Sequence, residues 1–354
     1  MGANSSTVRI GFVGVGSMGQ CAHLRNYATI PECEVVAIAE LRSRTAQRVA
    51  ERYGIGHVYD NHRAMLEQES LDGIVASQPF TRHGILLPEL FEYGKPVFIE
   101  KPLASTVEAG TGILAALEQS NASMMVGYHK RSDPATMHAK AEIERLTESG
   151  ELGNLTYVRI LMPAGDWIAG GFTERIDEGD ERPALASDPP PSDMDKEAFN
   201  SYRAFVNYYI HQVNLLRHLL GEPYRVTYAD PSGVLFVGES NSGVPCTLEM
   251  TPYKTTVDWQ ESALIAFEKG YLRLDLPAPL ALNRPGSVEI YRDPGNGCTP
   301  ERVAPQLPWV HAMRQQALNF LAVVRGAGSP PCDAHEALED LKVAREYLRL
   351  WKGV

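Results

Sequence analysis

Apolar and polar positions alternate in two different ways along the first third of the chain. Short apolar, β-prone runs are separated by longer segments in which apolar residues recur at helical spacing. The runs typical of strands are Val8–Val13, Glu34–Ala39, Leu71–Ser77, Pro96–Glu100 and Ala122–Val126, with a shorter one at Val58–Tyr59. The helical segments between them predict a parallel sheet with right-handed crossovers, because strands and helices alternate throughout.

The pattern changes near Tyr128. Helices are predicted at 133–149, about 199–220, about 309–325 and 334–351, and a strand at 155–162. Between 225 and 292, β-type runs separated by turns predict a mostly antiparallel sheet that is open on at least one face. The acidic, proline-rich excursion at 165–196 is predicted to be a lid and specificity element, with a plain surface loop as the alternative.

The junction between the first strand and the next helical segment carries Gly14, Gly16 and Gly19, with Ser17 and Met18 between them. In dinucleotide-binding folds the first glycine permits a tight turn, the second lets the backbone approach the pyrophosphate, and the third allows close helix–strand packing. Glu40 ends the next strand about 20 residues further on, where an acid binds the ribose hydroxyls. This combination predicts a Rossmann site; a glycine turn in another α/β domain is the alternative.

These patterns predict an α/β protein with two domains, for which 354 residues are sufficient. Residues 1–128 are expected to form an N-terminal Rossmann domain with a doubly wound parallel sheet. Residues 129–354 are expected to form a C-terminal α/β domain that carries the mostly antiparallel, open-faced sheet and serves substrate binding and oligomerisation. The last helix is expected to pack back on the first domain.

The cofactor choice depends on the end of the second predicted strand. Glu40 favours NAD, since a carboxylate there binds the 2′-hydroxyl and repels the 2′-phosphate of NADP. Arg42 and Arg44 follow closely and leave NADP as the less favoured alternative, because a nearby arginine can hold that phosphate.

Composition narrows the classes of partner. The formal net charge of -11 argues against nucleic acid and anionic membranes, and no apolar run approaches the length of a membrane helix. The N-terminal stretch MGANSSTVRI has no charged region followed by an apolar one, and the 5 cysteines are scattered, so a reduced, cytoplasmic setting is expected. No histidine, cysteine and carboxylate spacing indicates a metal site.

Glu100-Lys101-Pro102 closes a predicted Rossmann strand, at the edge where such sheets present ligand groups. Position alone leaves Lys101 either as a surface residue or as a cation aimed into the cofactor crevice. Four motifs together resemble the Gfo/Idh/MocA oxidoreductases: VRIGFVGVGSMG at 8–19, PFTRH at 79–83, GKPVFIEKPLA at 94–104 and VGYHKR at 126–131. The likeness thins beyond residue 130 and returns at 207–221 and 333–344.

The resemblance implies a nicotinamide enzyme that acts on a sugar, sugar derivative or cyclitol. It implies that Lys101 lies near the nicotinamide and hydrogen-bonds the reacting hydroxyl. The family's Asp-x-x-x-His pair corresponds here to Asn207 and His211, and the histidine takes the hydroxyl proton as hydride leaves the carbon. Asn207 cannot hold the family's negative charge. From the residues alone, an ordinary helix histidine is the favoured interpretation of His211, and only the family motif favours a catalytic one.

Further candidate residues are less specific. Tyr128, Arg131, Trp167 and Tyr209 are candidates for substrate binding. The candidates for cofactor binding include the three glycines, Ser17, Met18, Glu40, Arg42 and Lys101. They also include Gln78, Pro79, His83 and Glu100. His83 has a packing role at a helix start as its alternative.

Two other functions stay open at this point. One is a redox-neutral, NAD-dependent glycosidase of the same shape, and the other is a cofactor-binding regulator without catalysis. A homodimer or homotetramer is expected from the resemblance and from the open sheet face.

Overall fold

The computed structural model describes residues 7–353. Residues 1–6, which belong to the N-terminal stretch MGANSSTVRI, lie outside this range. The described chain divides into two compact units. The first contains the residues through Gly127 together with Gly170–Pro191 and Gln316–Leu338, and the second contains Tyr128–Ala169, Ser192–Gln315 and the residues from Glu339 onward.

The first unit is built on a six-stranded parallel sheet in the order β3-β2-β1-β4-β5-β6. The strands are β1 (Val8–Val13), β2 (Cys33–Ala39), β3 (His57–Tyr59), β4 (Gly73–Ala76), β5 (Val97–Glu100) and β6 (Met124–Gly127). This is the doubly wound order, in which the chain reverses direction between β1 and β4. The predicted N-terminal Rossmann sheet is therefore confirmed. Its ligand crevice is expected beyond the carboxyl ends of these two strands.

Helices cover the strands of this sheet. The first helix, α1, is a π-helical turn over Gly19–Leu24 that continues as Arg25–Tyr27. The others are α2 (Ser43–Tyr53), α3 (His62–Gln68), α4 (His83–Phe91) and α5 (Val107–Glu118). Thr106 caps α5 by accepting a hydrogen bond from the Ala109 N–H, so the helix begins at Val107.

Two later segments of the chain also belong to the first unit, which differs from a single division at residue 128. The segment Gln316–Leu338 includes most of α8 (Ala312–Val324), and Phe320 of this helix packs against Phe98 and Tyr27 with ring centroids 5.7 and 6.5 Å apart. A Cβ on Gly73 of β4 would lie 2.8 Å from Val324, so a glycine is needed there for α8 to approach the sheet closely. Most of α8 and the first residues of the last helix, up to Leu338, therefore belong to the first unit.

The second unit contains an eight-stranded sheet in the order β14-β13-β12-β11-β7-β10-β9-β8. Its strands are β7 (Leu155–Leu161), β8 (Tyr224–Ala229), β9 (Leu235–Ser240), β10 (Pro245–Glu249), β11 (Ser262–Phe267), β12 (Gly270–Asp275), β13 (Ser287–Arg292) and β14 (Glu301–Val303). All neighbouring pairs are antiparallel except β7 and β10. Buried and half-buried residues alternate along β7, β9 and β11, which confirms a sheet with one open face.

Helices α6 (Pro134–Ser149) and α7 (Lys196–Leu220) belong to the second unit, together with most of α9 (Ala334–Lys352). Helix α7 is longer than predicted, because Asp195 caps it by accepting a hydrogen bond from the Ala198 N–H. Tyr347 of α9 packs between Phe205 of α7 and Phe236 of β9, with ring centroids 4.5 and 5.5 Å away. This aromatic cluster fixes the middle of α7, which carries His211.

Candidate active site

The glycine loop, Gly14–Gly19, has the steric properties that a dinucleotide requires. Gly14 has a φ of +91°, and a Cβ there would lie 2.7 Å from the Ser77 carbonyl oxygen. A Cβ on Gly19 would lie 2.7 Å from the Gly14 carbonyl oxygen, whereas a Cβ on Gly16 would meet nothing within 4 Å. Gly14 and Gly19 are therefore needed by the fold, and Gly16 leaves room for a pyrophosphate.

Glu40 is held at the carboxyl end of β2 by the glycine loop and by Arg42. One carboxylate oxygen accepts a hydrogen bond from the Val15 N–H at 2.9 Å, and Arg42 donates through Nη2 at 2.9 Å and Nε at 3.0 Å. Burial alone would raise the pKa of Glu40, but the hydrogen bonds from Arg42 and Val15 outweigh it and lower the pKa. Glu40 is thus a fixed anion beside the glycine loop.

The loop after β4 places the next cofactor candidates. The side chain of Gln78 packs against Gly14, where a Cβ would come within 2.3 Å of its Nε2. Pro79 precedes a short 3-10 turn, Phe80–Arg82, and His83 begins α4. His83 is fully buried and its Nδ1 lies 3.0 Å from the Leu103 carbonyl oxygen. Burial lowers the pKa of His83, so it is a neutral residue within the fold.

Glu100 and Lys101 end β5, on the edge of the sheet where the glycine loop also lies. Glu100 is buried, its Oε1 lies 2.6 Å from Nε2 of His23, and its other oxygen accepts a hydrogen bond from the Lys101 N–H. The Glu100 carboxylate is therefore bound by the protein itself. Lys101 is half-buried at the strand end. The structure brings these residues and the glycine loop together in one unit.

In the second unit, His211 lies in a cluster of rings. It is 9% exposed, and its ring centroid is 4.4 Å from that of His129 and 5.8 Å from that of Tyr128, both in edge-on contact. Tyr128 precedes the short turn His129–Ser132, and His129 begins it. The predicted candidates Tyr128 and His211 are thus brought together, and His129 joins them. These edge-on contacts with two neighbouring rings fix the orientation of the His211 imidazole.

A buried ion pair stands directly beside this cluster. Lys130 pairs with Glu261, and the two side chains are 4% and 1% exposed. Glu261 also accepts hydrogen bonds from Gln212 Nε2 at 2.8 Å and from the Trp259 indole at 3.2 Å. Because Gln212 follows His211 directly on α7, this network fixes the orientation of the helix at that point.

Glu261 also lines a cavity of about 630 Å³ in the second unit. Its walls include polar and charged groups, namely Asp166, Asp258, Trp259, Gln260, Glu261, Arg273, Asp275 and Arg284. A volume of this size accommodates a small molecule, and a lining with many hydrogen-bonding groups suits a polyhydroxylated one.

The remaining substrate candidates have different surroundings. Asn207 is exposed and lies one turn before His211 on α7. Arg131 donates a hydrogen bond from Nε to the side-chain oxygen of Asn214. The amide nitrogen of Asn214 in turn donates to Asp340 at 2.7 Å, and all three residues are buried. The structure therefore places Arg131 in the interior of the second unit.

Tyr209 and Trp167 are also engaged with the backbone. The Tyr209 hydroxyl donates to the Met250 carbonyl at 2.8 Å, and its neighbour Tyr208 accepts from the Gly165 N–H at 3.4 Å. The Trp167 carbonyl accepts a hydrogen bond from the Leu280 N–H, and the residue is half-buried. Of the two tyrosines, Tyr208 contacts the segment that carries Asp166.

Sequence reasoning missed His129, Lys130, Gln212, Trp259 and Glu261. His129 and Lys130 lie inside the VGYHKR motif and Gln212 next to His211, so their positions were available as signals. Glu261 is far away in sequence, and only the pairing of β11 with β7 brings it there.

Within residues 7–353 no group of three or more histidine, cysteine, aspartate or glutamate side chains is placed to bind a metal ion. No helix in the same range is long and apolar enough to cross a bilayer.

Comparison with known proteins agrees with this geometry. Residues 8–128 match the model of the Gfo/Idh/MocA oxidoreductase family, NAD-binding Rossmann fold. An uncharacterized oxidoreductase of Bacillus subtilis is 21% identical over 95% of this chain and 92% of its own length. The scyllo-inositol 2-dehydrogenase (NAD⁺) of the same organism is 26% identical over 68% of this chain and 66% of its own length.

Among solved structures, levoglucosan dehydrogenase in complex with NADH and levoglucosan superimposes with a TM-score of 0.72. It is 17% identical and the match covers 98% of this chain and 97% of that one. The glycine loop together with these comparisons indicates an NAD(P)-dependent oxidoreductase. Residues 8–128 thus carry the NAD-binding Rossmann fold of the Gfo/Idh/MocA oxidoreductase family, and inositol 2-dehydrogenases are among the relatives of the chain.

The residues present fit a dinucleotide. The open space at Gly16 and the fixed Glu40 carboxylate are the two features that NAD requires at its pyrophosphate and its ribose. The prediction that this protein binds NAD is confirmed, because residues 8–128 match the family's NAD-binding Rossmann model.

Proposed function

We propose that this protein is an NAD-dependent dehydrogenase that oxidises a secondary hydroxyl of a sugar, sugar derivative or cyclitol, or catalyses the reverse reduction. The observation that carries the proposal is the cluster of Tyr128, His129 and His211, since it provides an oriented base in the unit that lacks the dinucleotide fold. Similarity to an inositol dehydrogenase and to levoglucosan dehydrogenase supports the substrate class. The 630 Å³ cavity with its polar lining is consistent with a polyol.

The bound nicotinamide supplies a hydride acceptor or donor. His211 accepts the proton of the reacting hydroxyl, a task for which a neutral imidazole is suited near neutral pH. Lys101 donates a hydrogen bond to the same oxygen and stabilises its alkoxide character. This pairing rests on the family resemblance. It predicts that the double variant Lys101→Ala/His211→Ala loses far less than the sum of the two single losses, because the two groups act on one oxygen.

Asn207 replaces the carboxylate of the family motif. Its amide is suited to hydrogen-bond a substrate hydroxyl without adding charge beside His211. We propose that Glu261, Asp166 and Trp259 contact the substrate from the wall of the cavity.

The test is a panel of inositols, monosaccharides, anhydrosugars and glycosides incubated with the purified protein and NAD⁺ between pH 7 and 10. Fluorescence of NADH reports oxidation, and chromatography of the products reports hydrolysis. Net NADH formation with one chemical class supports the proposal. Hydrolysis of a glycoside without NADH formation would replace it with the redox-neutral reaction. Tight NADH binding with no turnover of any polyol would contradict catalysis on this class.

We also propose a homodimer or homotetramer formed through the open face of the eight-stranded sheet. Aromatic side chains such as Tyr271 and Tyr291 stack on strands β12 and β13 and are only half-buried. Light scattering should give a multiple of the 39.0 kDa chain mass at micromolar concentration. A mass equal to a single chain would contradict this.

A further inference from the structure

The segment Gly170–Pro191, here called the strap, belongs to the first unit although it follows the first strand of the second. It contacts the beginnings of three helices in turn. The Ile176 backbone exchanges two hydrogen bonds with the side chain of Gln20 on α1, at 2.9 and 3.0 Å. Further along, Asp188 accepts from the Gly84 N–H at the start of α4. In a doubly wound fold these helix starts lie on the sheet edge that binds the dinucleotide.

Between these two contacts, Asp180 occupies the N-terminus of α2. Its Oδ2 accepts hydrogen bonds from the Thr45 N–H at 2.9 Å and the Thr45 hydroxyl at 2.7 Å. Its Oδ1 accepts from the Arg44 N–H at 3.1 Å and from the Arg44 Nε at 3.4 Å. Arg44 also donates to the Gly179 carbonyl. The side chain of Asp180 is only 9% exposed.

These are the groups with which a protein binds a phosphate. A helix N-terminus offers backbone N–H groups and a positive dipole end, and an arginine and a hydroxyl complete the set. The hydrogen bonds from Thr45 and Arg44 lower the pKa of Asp180 to about 2, so the carboxylate is ionised throughout the physiological range. An anion from the protein itself therefore fills this place.

The N-terminus of α2 is also at the adenosine end of the crevice, and the adenosine is the part of the cofactor in which NAD and NADP differ. Glu40 ends β2, the Arg42 N–H donates to its carboxylate at 3.1 Å, and α2 begins at the next residue. The adenosine ribose binds the acid at this strand end, and the 2′-phosphate of NADP binds arginines beside it. Arg42 is bound to Glu40 and Arg44 to Asp180, so both nearby arginines are already matched with carboxylates.

We propose that the strap selects the cofactor: Asp180 takes the position and the hydrogen bonds that the 2′-phosphate of NADP would use, and thereby restricts the crevice to NAD. Glu40 binds the ribose hydroxyls, while Asp180 excludes the phosphate by occupancy and by charge. The proposal extends the NAD dependence in the proposed function and assigns part of it to a residue far from the dinucleotide motif in sequence.

The test compares three variants, each of which removes one negative charge from one of two adjacent strap residues, Asp180 and Glu181. Asp180→Asn removes the carboxylate at α2, and Asp180→Ala opens the position fully. Glu181→Gln is the matched control, because Glu181 is exposed on the strap. Dissociation constants for NADH and NADPH are measured by fluorescence on the full chain without substrate. Adenosine 2′,5′-bisphosphate, compared with ADP, reports the adenosine end alone.

We expect the ratio of the NADPH constant to the NADH constant to fall by about 10–100-fold in Asp180→Ala, and by less in Asp180→Asn, since one or more charge-assisted hydrogen bonds become available to the phosphate. The affinity for adenosine 2′,5′-bisphosphate should rise in parallel, and Glu181→Gln should leave all ratios unchanged. Unchanged ratios in both Asp180 variants, with NADH still bound, would overturn this proposal alone. If the unaltered protein bound neither dinucleotide, the proposed function would fail as well.

Discussion

The cofactor-binding residues and the surroundings of His211 differ in the kind of chemical group that they contain. The cofactor end consists of backbone: three glycines within six positions, N–H groups at helix starts and one carboxylate at a strand end. The surroundings of His211 consist of side chains from distant parts of the chain, with Lys130, Gln212 and Glu261 brought together by a helix and a strand. A site made of backbone is encoded by contiguous residues, whereas a site made of side chains is encoded by the topology.

The glycine loop and the surroundings of His211 also differ in the substitutions that they tolerate. Around the glycine loop a single added methyl group either meets the backbone or faces open space, so the effect of a substitution is decided within one residue. Beside His211, Lys130 and Glu261 form a buried ion pair, so removal of one leaves the other charge without compensation. The following variants test this contrast, beginning with the largest expected effect.

His211→Ala should lower kcat by about 10²–10⁴-fold, because a positioned general base contributes that much to proton transfer. The dissociation constant for NADH should stay within a factor of two or so of the wild-type value, since the glycine loop and Glu40 belong to the other unit. His335→Ala, at an exposed histidine, serves as the control for loss of an imidazole. Turnover near the wild-type rate in His211→Ala would make His211 a packing residue.

Lys130→Met should reduce the free energy of unfolding by about 3–5 kcal/mol, because it leaves Glu261 buried without its cation. The double variant Lys130→Met/Glu261→Gln should recover part of that loss, since no isolated charge remains. Arg225→Met is the matched control: Arg225 pairs with Glu239 at the surface, and its loss should cost under about 1 kcal/mol. Urea denaturation of the three variants measures this. Equal effects at Lys130 and Arg225 would contradict a buried network.

Two alanine substitutions in the glycine loop separate binding from folding. Gly16→Ala should leave the melting temperature unchanged, because its Cβ meets nothing within 4 Å, but should weaken NADH binding by about 10-fold or more as the methyl group takes the pyrophosphate's space. Gly19→Ala should lower the melting temperature instead, since its Cβ would lie 2.7 Å from the Gly14 carbonyl oxygen. Calorimetry and NADH titration of both variants are needed. A lower melting temperature in Gly16→Ala and weaker NADH binding in Gly19→Ala would contradict the roles given to these two glycines.

The first sheet could be predicted because each of its buried strands is a continuous apolar run, and a parallel sheet covered on both faces requires such runs. The open-faced second sheet was predicted from turns and β-type runs, although β14, an exposed three-residue strand, gave no signal. The helix starts were predicted less well. Ser105 and Thr106 are both buried residues of a type that caps helices, but only the Thr106 oxygen accepts the free N–H of Ala109, and residue type does not distinguish the two.

The sequence offered candidate site residues only where short motifs exist. Lys101, His211 and the glycines carry motifs, but the strap's return to the first unit depends on Asp180 and Gln20, whose contacts span well over a hundred positions of sequence. Tyr209 and Arg131 were candidates by their place beside motifs. The structure shows that their polar groups bind Met250 and Asn214, which local spacing cannot indicate.

Asp133 gives a pH-dependent contribution to the stability of the second unit. Burial raises its pKa to about 6, even though the N–H groups of Ala135 and Gly286 donate to it. Between about pH 4 and 6 the folded protein holds a proton that the unfolded chain has released. Stability therefore falls as the pH rises through this window, by about 1–3 kcal/mol.

Asp133→Asn should remove this slope and stabilise the protein above pH 6, because the amide oxygen still accepts both backbone hydrogen bonds. Asp195→Asn is the control, since Asp195 caps α7 in the same way but is exposed. Unfolding free energies from urea titrations at intervals from pH 4 to 7.5 provide the comparison. If the two variants gave the same difference curve relative to the wild type, burial of Asp133 would not be its cause.

Asn207→Asp is the mildest change and tests whether His211 is the titrating base. The new carboxylate would share a helix face with His211, four residues away, and would favour the protonated imidazole. Because position 207 is exposed, solvent weakens this effect, and we expect the pKa seen in the profile of kcat/KM against pH to rise by about 0.3–1 unit. The sign follows from the mechanism: the base must be neutral, so the variant needs a higher pH to reach the same rate. Asn207→Ala removes the amide without adding charge, and its midpoint should match that of the wild type. Raising the ionic strength should shrink the shift in Asn207→Asp, as expected for an interaction through solvent. A midpoint that stayed fixed, or moved to lower pH, would mean that another group titrates, and the role proposed for His211 would have to be withdrawn.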